Sequence, residues 1–272
     1  MKNKKVKLDE KEMLKLIKKF IPNFETLRDV EIENGGRIIT LKSVYKESNK
    51  QRYISLAKKL EECTEYDPCK SMACAKCQRT RRLQILSKWL SFFLENKGYK
   101  MATLIIYKDM TPNKKLSQMD IDALSQRLDK TIRRIGFEKP VIGGFDMDYH
   151  NYTHDSKGSH WMPHFHLLVP NEPEKLEKLR SYMLRPQNLY ARKGRKNRPI
   201  RIDDIDNVAS ALSYCVTGMW LEIAWFINED GKLKKFKNKR RILDKRVFAK
   251  SLIKLNRLKA SQLNFGVNVQ KR

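Results

Sequence analysis

The 272-residue sequence contains no apolar run of the roughly 18–20 residues that a membrane-spanning helix needs. Its first residues, MKNKKVKLDEKEM, are charged and lack the apolar centre of a secretory signal. We therefore expect an intracellular, cytoplasmic protein that acts without a membrane. The sequence also lacks a long linker, an internal repeat and a G-x-x-x-x-G-K phosphate-binding loop, which argues against repeat architectures and ATPases of that type.

Acidic residues are scarce relative to basic ones. The chain has 31 Asp and Glu against 58 Lys and Arg, which gives a formal net charge of +27. Because like charges repel within one fold, this excess is typical of a protein that binds a polyanion, and nucleic acid is the commonest such partner. Hydrophobic residues make up 40% of the chain, enough for a folded core.

Periodicity predicts an α+β fold. Helices are expected at about 9–20, 51–63, 81–96, 117–135, 174–184 and 206–217, and a basic helix runs to about 259. Strands are expected at 37–45 after a turn at 34–36, at 99–107, 140–149 and 161–169, and near Trp225. The β-α-β-β-α order between 99 and 184 predicts a central antiparallel sheet of ferredoxin-like type, with helices packed on one side.

Cysteines are concentrated in one segment, with four of the five at Cys63, Cys69, Cys74 and Cys77. In an intracellular chain such clustering indicates metal binding before disulfides, and a Cys-x2-Cys pair spans one edge of a tetrahedral zinc site. We predict that the last three bind structural Zn²⁺ in a small insertion, with Cys63 as the nearby candidate for a fourth ligand. A histidine from elsewhere, no fourth protein ligand, unpaired buried thiols and a redox role stay open.

All five histidines lie between His150 and His166. In a strand, residues two apart point to the same face, so His164 and His166 should present two imidazoles side by side. On the preceding strand, Asp146 and Asp148 repeat this spacing with carboxylates. Two imidazoles and one carboxylate would suit a divalent ion such as Mn²⁺ or Mg²⁺. Alternatively, the histidine pair faces solvent at the rim of the sheet.

The segment His164-Phe165-His166 resembles the His-hydrophobic-His motif of the HUH endonucleases, in particular the rolling-circle replication initiators of plasmids and phages. Further resemblances follow in the order of that family over about residues 63–220: the Cys-rich segment from Cys69, the first-strand motif at 102–106, the acidic strand at 145–149 with Asp146 as the better match, and the nucleophile helix at 207–220.

This resemblance implies an HUH-type sheet and an enzyme that nicks and rejoins single-stranded or hairpin DNA at a replication origin. A tyrosine would form a 5′-phosphotyrosyl intermediate with the help of the divalent metal, and a host helicase would separate the strands. Tyr214 is the only tyrosine in the corresponding helix and lies about 200° from Leu212 of its apolar stripe. Ser213 and Gly218 stand where many members have a lysine, and Ser210 where some have a glutamate or a second tyrosine.

The chain then divides into an N-terminal segment of helix and strand (1–62), a Cys-rich zinc segment with its helix (63–97), an HUH endonuclease core (98–225) and a basic C-terminal segment (226–272). Two basic runs flank the nucleophile helix and are expected to contact phosphates. Their members are Arg192, Lys193, Arg195, Lys196, Arg198 and Arg201 before it, and Lys234, Lys235, Lys237, Lys239, Arg240 and Arg241 after it. A solvated charged face is the alternative interpretation of each run.

Two other functions fit the same residues. A transposase or conjugative relaxase would use the same chemistry on different DNA. A zinc-containing nucleic-acid-binding protein could keep the fold without the nucleophile. The serines and the glycine at the positions named above favour this non-catalytic alternative, whereas His164, His166 and Asp146 favour an enzyme.

Overall fold

The computed structural model describes residues 10–153, 158–189 and 198–269. Its helices are α1 (Glu10–Phe20), α2 (Leu27–Ser48), α3 (Gln51–Glu61), α4 (Ala75–Glu95), α5 (Ile121–Ile135), α6 (Pro173–Met183), α7 (Val208–Cys215), α8 (Lys245–Asn256) and α9 (Ala260–Leu263). Its strands are β1 (Tyr99–Ile105), β2 (Thr111–Pro112), β3 (Val141–Tyr152), β4 (His160–Pro170), β5 (Ile200–Asp203), β6 (Leu221–Ile227), β7 (Leu233–Lys235) and β8 (Asn264–Val267). The predicted α+β class is confirmed. Among the described helices, none is long and apolar enough to cross a membrane.

The predicted strand at 37–45 and the turn at 34–36 are wrong, because both segments lie inside helix α2. A capping box starts this helix, since the Thr26 side chain accepts from the backbone of Asp29 while the Asp29 carboxylate accepts from the Thr26 backbone. Val30, Leu41 and Val44 are then buried at helical spacing. Tertiary packing of this face outweighs the β-branched residues and the two glycines that suggested a turn and a strand.

The eight strands form one sheet with the order β5-β1-β4-β3-β6-β7, while β2 pairs with β4 and β8 pairs with β3. Strands β3 and β6 run parallel, and the other pairs are antiparallel. The sheet is therefore mixed, and the prediction of a purely antiparallel sheet is wrong at this pair. The segment between the two strands contains β4, α6, β5 and α7, which return the chain to the direction of β3.

Strand β3 has two partners along the edge that does not face β4. Its first residues, Val141–Gly144, pair with β8, and its last residues, Asp148–Tyr152, pair with β6. Between these two ladders lies a short stretch that pairs only with β4, and Asp146 is at its centre. Both partner strands begin here, β8 at Asn264 opposite Gly144 and β6 at Leu221 opposite Asp148, so the edge of β3 beside this carboxylate has no paired strand among the described residues.

Helices cover both faces of the sheet, so the prediction that they pack on one side is wrong. Phe165 and Leu167 belong to a core shared with α5, α6 and α8, whereas Leu168 belongs to a second core shared with α1, α4 and α7. Strands β3 and β4 are buried on both faces along most of their length. Both rows of alternating side chains therefore need a covering layer, as in sheets that are internal to a fold.

Candidate functional site

Strand β4 carries His164 and His166 side by side, as the spacing predicts. The two ring centroids are 4.7 Å apart, and each residue is 3% exposed. In the register with β3, His164 lies opposite Asp146. The oxygen or nitrogen ligand atoms of these three residues all lie within 4.8 Å of one another. Helix α7 covers the face that carries the histidine pair. The two histidines are therefore buried and do not face solvent at the rim of the sheet.

The hydrogen bonds of the two imidazoles leave the same nitrogen of each ring available. Nδ1 of His164 lies 3.1 Å from the carbonyl oxygen of Met162, and because a carbonyl only accepts, this nitrogen carries the proton. Nδ1 of His166 lies 3.0 Å from Oγ1 of Thr103 on β1. Both Nε2 atoms are buried without a hydrogen-bond partner among the described residues. Buried unpartnered nitrogens beside a carboxylate fit the ligand set of a divalent cation.

Burial sets the protonation states of this candidate metal centre. It lowers the pKa of His164 to about 3 and that of His166 to about 2, so both rings are neutral and can act as ligands. Burial, and then the charge of Asp148, raise the pKa of Asp146 to about 8. Without a cation the centre therefore favours an uncharged carboxyl group.

Of the two predicted acidic ligands, Asp146 belongs to the group of three and Asp148 does not. Oδ2 of Asp148 is 2.7 Å from Nζ of Lys239 and 3.9 Å from Nε2 of His164. Lys239 comes from the segment between β7 and α8, and its side chain is 33% exposed. Asp148 therefore anchors a lysine beside the centre, a contact between residues 91 positions apart that periodicity cannot reveal.

Tyr214 lies beside this centre. Its ring centroid is 4.5 Å from that of His166, and the residue is 45% exposed, whereas Leu212 and Cys215 of the same helix are buried. The predicted orientation, away from the apolar stripe of α7, is confirmed. Gly144 permits this approach, because a Cβ atom there would lie 2.6 Å from the carbonyl oxygen of Cys215. The absence of a side chain on β3 lets the end of α7 rest directly on the sheet.

Helix α4 holds the C-terminal end of α7 from the other side. Nη2 of Arg82 donates to Oγ of Ser213 at 2.9 Å, and Nη2 of Arg81 donates to the carbonyl oxygen of Val216 at 2.6 Å. Nε2 of Gln78 donates to the carbonyl oxygen of Gly218 at 3.1 Å. These donors lie one to five residues after Cys77. Their targets are more than 130 residues away and could not be inferred from the sequence.

The four predicted cysteines form a group that could hold a metal ion. All four Sγ atoms lie within 4.8 Å of one another, and all four thiols are free. Hydrogen bonds with Cys74 and then Cys77 lower the pKa of Cys69 to about 2, while the hydrogen bond with Cys69 is the main cause that raises the pKa of Cys74 to about 12. Ionisation of Cys69 is thus favoured and ionisation of Cys74 is disfavoured. A bound cation would favour the thiolate form of both. Cys63 completes the group, as expected from its position.

The basic runs separate into exposed residues and residues used inside the fold. Arg192, Lys193, Arg195 and Lys196 lie outside the described residues. Exposed members include Arg198, Arg201, Lys234, Lys235 and Lys237, of which Arg201 pairs with Asp203 at 2.8 Å. Arg240 instead donates to the fully buried Glu222 at 2.8 Å, and Arg241 stacks on Phe248 with its guanidinium 4.6 Å from the ring centroid. Sequence analysis gave no sign of Glu222 as the buried counterion of Arg240.

These residues form two groups suited to metal ions, one of thiols and one of two imidazoles and a carboxylate, with a half-exposed tyrosine next to the second. No family model, no curated protein and no solved structure matches the chain.

Proposed function

We propose that the protein is a metal-dependent endonuclease of the HUH type that nicks and rejoins single-stranded DNA through Tyr214. The observation that carries the proposal is the position of the Tyr214 ring, 4.5 Å from the ring of His166, which belongs to a buried group of three with His164 and Asp146. Nucleophilic phosphoryl transfer needs an attacking hydroxyl next to positive charge that can balance the pentavalent phosphate.

In the proposed reaction, Oη of Tyr214 forms a bond to the scissile phosphorus and the bond from phosphorus to O3′ breaks. The phenolic proton leaves Oη and O3′ takes up one proton, so that protons balance and the products are a 5′-phosphotyrosyl link and a free 3′ hydroxyl. Rejoining is the reverse attack by the 3′ hydroxyl. His164, His166 and Asp146 would hold the divalent cation, which would offset the charge that develops on the phosphate.

Lys239 adds a second positive charge beside the tyrosine. Burial raises the pKa of Tyr214, and the charge of Lys239 acts in the opposite direction. The contact of 2.7 Å with Asp148 fixes the ammonium group near the centre. We assign to Lys239 the role that a lysine of the nucleophile helix has in many family members, since Ser213 and Gly218 occupy those positions here. The biological role that follows is initiation of rolling-circle replication at an origin, with a host helicase to unwind the duplex.

The proposal is tested by incubating the full chain with a labelled library of single-stranded oligonucleotides and Mn²⁺. A covalent protein–DNA adduct that survives denaturing electrophoresis is expected. Tyr214→Phe removes only the attacking oxygen and should abolish the adduct while DNA affinity is kept. Tyr66→Phe is the matched control, because Tyr66 is 97% exposed and lies between Cys63 and Cys69, outside α7.

His166→Ala should also abolish the adduct, but by weakening cation binding, so excess Mn²⁺ should restore part of the activity to this variant and none to Tyr214→Phe. An adduct that persists in Tyr214→Phe would contradict the assignment of the nucleophile. Binding of DNA without any adduct in the parent protein would favour the non-catalytic zinc-containing nucleic-acid-binding protein. A transposase or relaxase would form the same adduct and differ in the DNA sequence that it selects.

A further inference from the structure

A cavity of about 240 Å³ lies between helices α2 and α8 and the segment that follows α7. Its lining includes Glu33 and Arg37 from α2, Gly218 and Trp220 after α7, Arg241 before α8 and Phe248 in the first turn of α8. The cavity is smaller than the roughly 300–1,000 Å³ of pockets for drug-sized ligands and larger than the about 30 Å³ that one water fills. A single planar heteroaromatic ring matches this size.

The arginine at the cavity is held by a feature of the neighbouring helix. A Cβ atom at Gly36, in the middle of α2, would lie 2.6 Å from Nη1 of Arg241. The guanidinium of Arg241 therefore lies directly over the backbone of α2 at a position that has no side chain. Phe248 stacks against the same guanidinium, with 4.6 Å to the ring centroid, and Glu33 lies 3.9 Å from Nη1. Two helices, α2 and α8, thus contact this half-exposed guanidinium.

Trp220 contributes a polar atom that calls for an acceptor. The residue is 4% exposed, it lines the cavity, and its Nε1 is buried without a hydrogen-bond partner among the described residues. An unpartnered buried N–H group is costly, so an acceptor in the cavity would stabilise it. The site therefore combines the N–H group of Trp220, the carboxylate of Glu33, the guanidinium of Arg241 and the apolar rings of Trp220 and Phe248. These groups suit a flat ring that has both acceptors and donors on its edge.

The cavity is also close along the chain to the proposed reaction centre. Gly218 follows Tyr214 by four residues, and Arg241 follows Lys239 by two. Two residues of extended chain span at most about 7 Å. The arginine at the cavity therefore belongs to the same short segment as Lys239, whose ammonium group lies beside the Tyr214 centre.

We propose that this cavity binds one nucleobase of the single strand whose backbone passes the Tyr214 centre, a hypothesis that rests on the proposed action on DNA. Trp220 would donate to an acceptor on the edge of the base, Glu33 would accept from an N–H group of the base such as N3–H of thymine, and Arg241 would cover the open side of the base. The site would thereby fix the position of the scissile phosphate relative to the tyrosine.

Two labelled strands of equal length test the proposal, one of thymidine and one in which tetrahydrofuran abasic units replace every nucleoside. Both carry the same phosphates, so the ratio of their dissociation constants reports contacts with bases. Met219→Trp, a substitution at a cavity-lining residue that is 37% exposed, should fill the cavity and lower the preference for the thymidine strand roughly tenfold. Arg241→Ala should lower it as well. Arg246→Ala is the control, because Arg246 lies in α8 but pairs outward with Glu47.

Thermal unfolding of each variant verifies that it is folded, and Mn²⁺-dependent adduct formation is measured in parallel. A preference for the thymidine strand equal to that of the parent in both cavity variants would overturn the proposal. An equal loss of affinity for both strands in Arg241→Ala would also overturn it, because such a loss indicates a phosphate contact. Binding with the expected preference but without an adduct would support the base site and contradict the proposed nuclease. If the parent binds neither strand, both proposals are wrong.

Discussion

Asp146 is the residue in the centre whose charge depends most on whether a cation is bound. It is 8% exposed, and burial followed by the charge of Asp148 raises its pKa to about 8. His164 and His166 have pKa values lowered by burial to about 3 and about 2, and both rings are hence neutral at neutral pH. Ligation of a divalent cation near pH 7 should therefore displace one proton, from the carboxyl group.

We predict that Mn²⁺ affinity rises about tenfold for each pH unit from about 6 to 8 and becomes constant above that range. The sign follows because the raised pKa leaves Asp146 protonated below about 8, and protons compete with the cation. Calorimetric titration in two buffers of different ionisation enthalpy measures the released proton. Asp146→Asn should bind Mn²⁺ more weakly and without this dependence. An affinity that is constant across the range would show that binding displaces no proton from Asp146.

At the scale of single residues, the sequence allowed the prediction of those residues whose role depends on local spacing. His164 and His166 share a face because strand side chains alternate, and the resemblance favoured Asp146 over Asp148 as third ligand. The hydrogen bond between Thr103 and His166 and the contact between Lys239 and Asp148 join distant segments. Such contacts depend on strand order and loop path, which spacing does not encode.

Helix α7 connects the two candidate metal groups. It rests on the sheet where Gly144 gives it room, and Gln78, Arg81 and Arg82 hold its C-terminal end. These three residues begin immediately after Cys77 in helix α4. A metal bound by the four cysteines would fix the start of α4, and through these hydrogen bonds it would also fix the position of Tyr214.

We predict one zinc ion per chain, lost when Cys69, Cys74 and Cys77 are all replaced by serine, because serine hydroxyls do not replace thiolates as zinc ligands. Elemental analysis measures the zinc. In this triple variant, hydrogen exchange measured by mass spectrometry should be faster than in the parent, and the increase should be larger in the peptide 208–219 than in strands β3 and β4. Arg81→Met should accelerate exchange in the same peptide while zinc is retained. Folded, zinc-free parent protein, or exchange at 208–219 unchanged in both variants, would contradict this coupling.

Helix α2 shows where the element-level prediction fails. The segment 37–45 is rich in β-branched residues and follows two glycines, a pattern that is typical of a turn and a strand. The reason for the helix lies elsewhere in the chain, since Asn34 hydrogen-bonds to Leu60 and Arg37 donates to the carbonyl oxygen of Ala73. By contrast, β3 and β4 were predicted because each has an uninterrupted local pattern. The parallel pairing of β3 with β6 depends on how the segment between them folds.

For the whole molecule, the net charge of +27 includes basic residues with different roles. Arg81, Arg82 and Arg240 lie in hydrogen bonds or ion pairs within the fold and contribute to its architecture. Lys234, Lys235 and Lys237 are exposed, and no ion pair is found for them within the described residues. This short segment follows β6 and leads to Lys239 at the candidate centre. We propose that these exposed lysines guide a polyanion toward Tyr214.

We predict that replacing Lys234, Lys235 and Lys237 together by glutamine weakens single-strand binding and lowers the slope of log affinity against log salt by about 2, since each phosphate contact on a single strand contributes about 0.7. Fluorescence anisotropy with an oligonucleotide, repeated over a series of salt concentrations, gives the slope. The matched control replaces Lys15, Lys18 and Lys19 by glutamine. These lysines are exposed on α1, and their replacement removes the same amount of positive charge. If specific contacts in the 234–237 segment govern binding, the control keeps the parent slope. Equal losses in both triple variants would mean that net charge alone attracts the strand, and that no path leads it to the tyrosine.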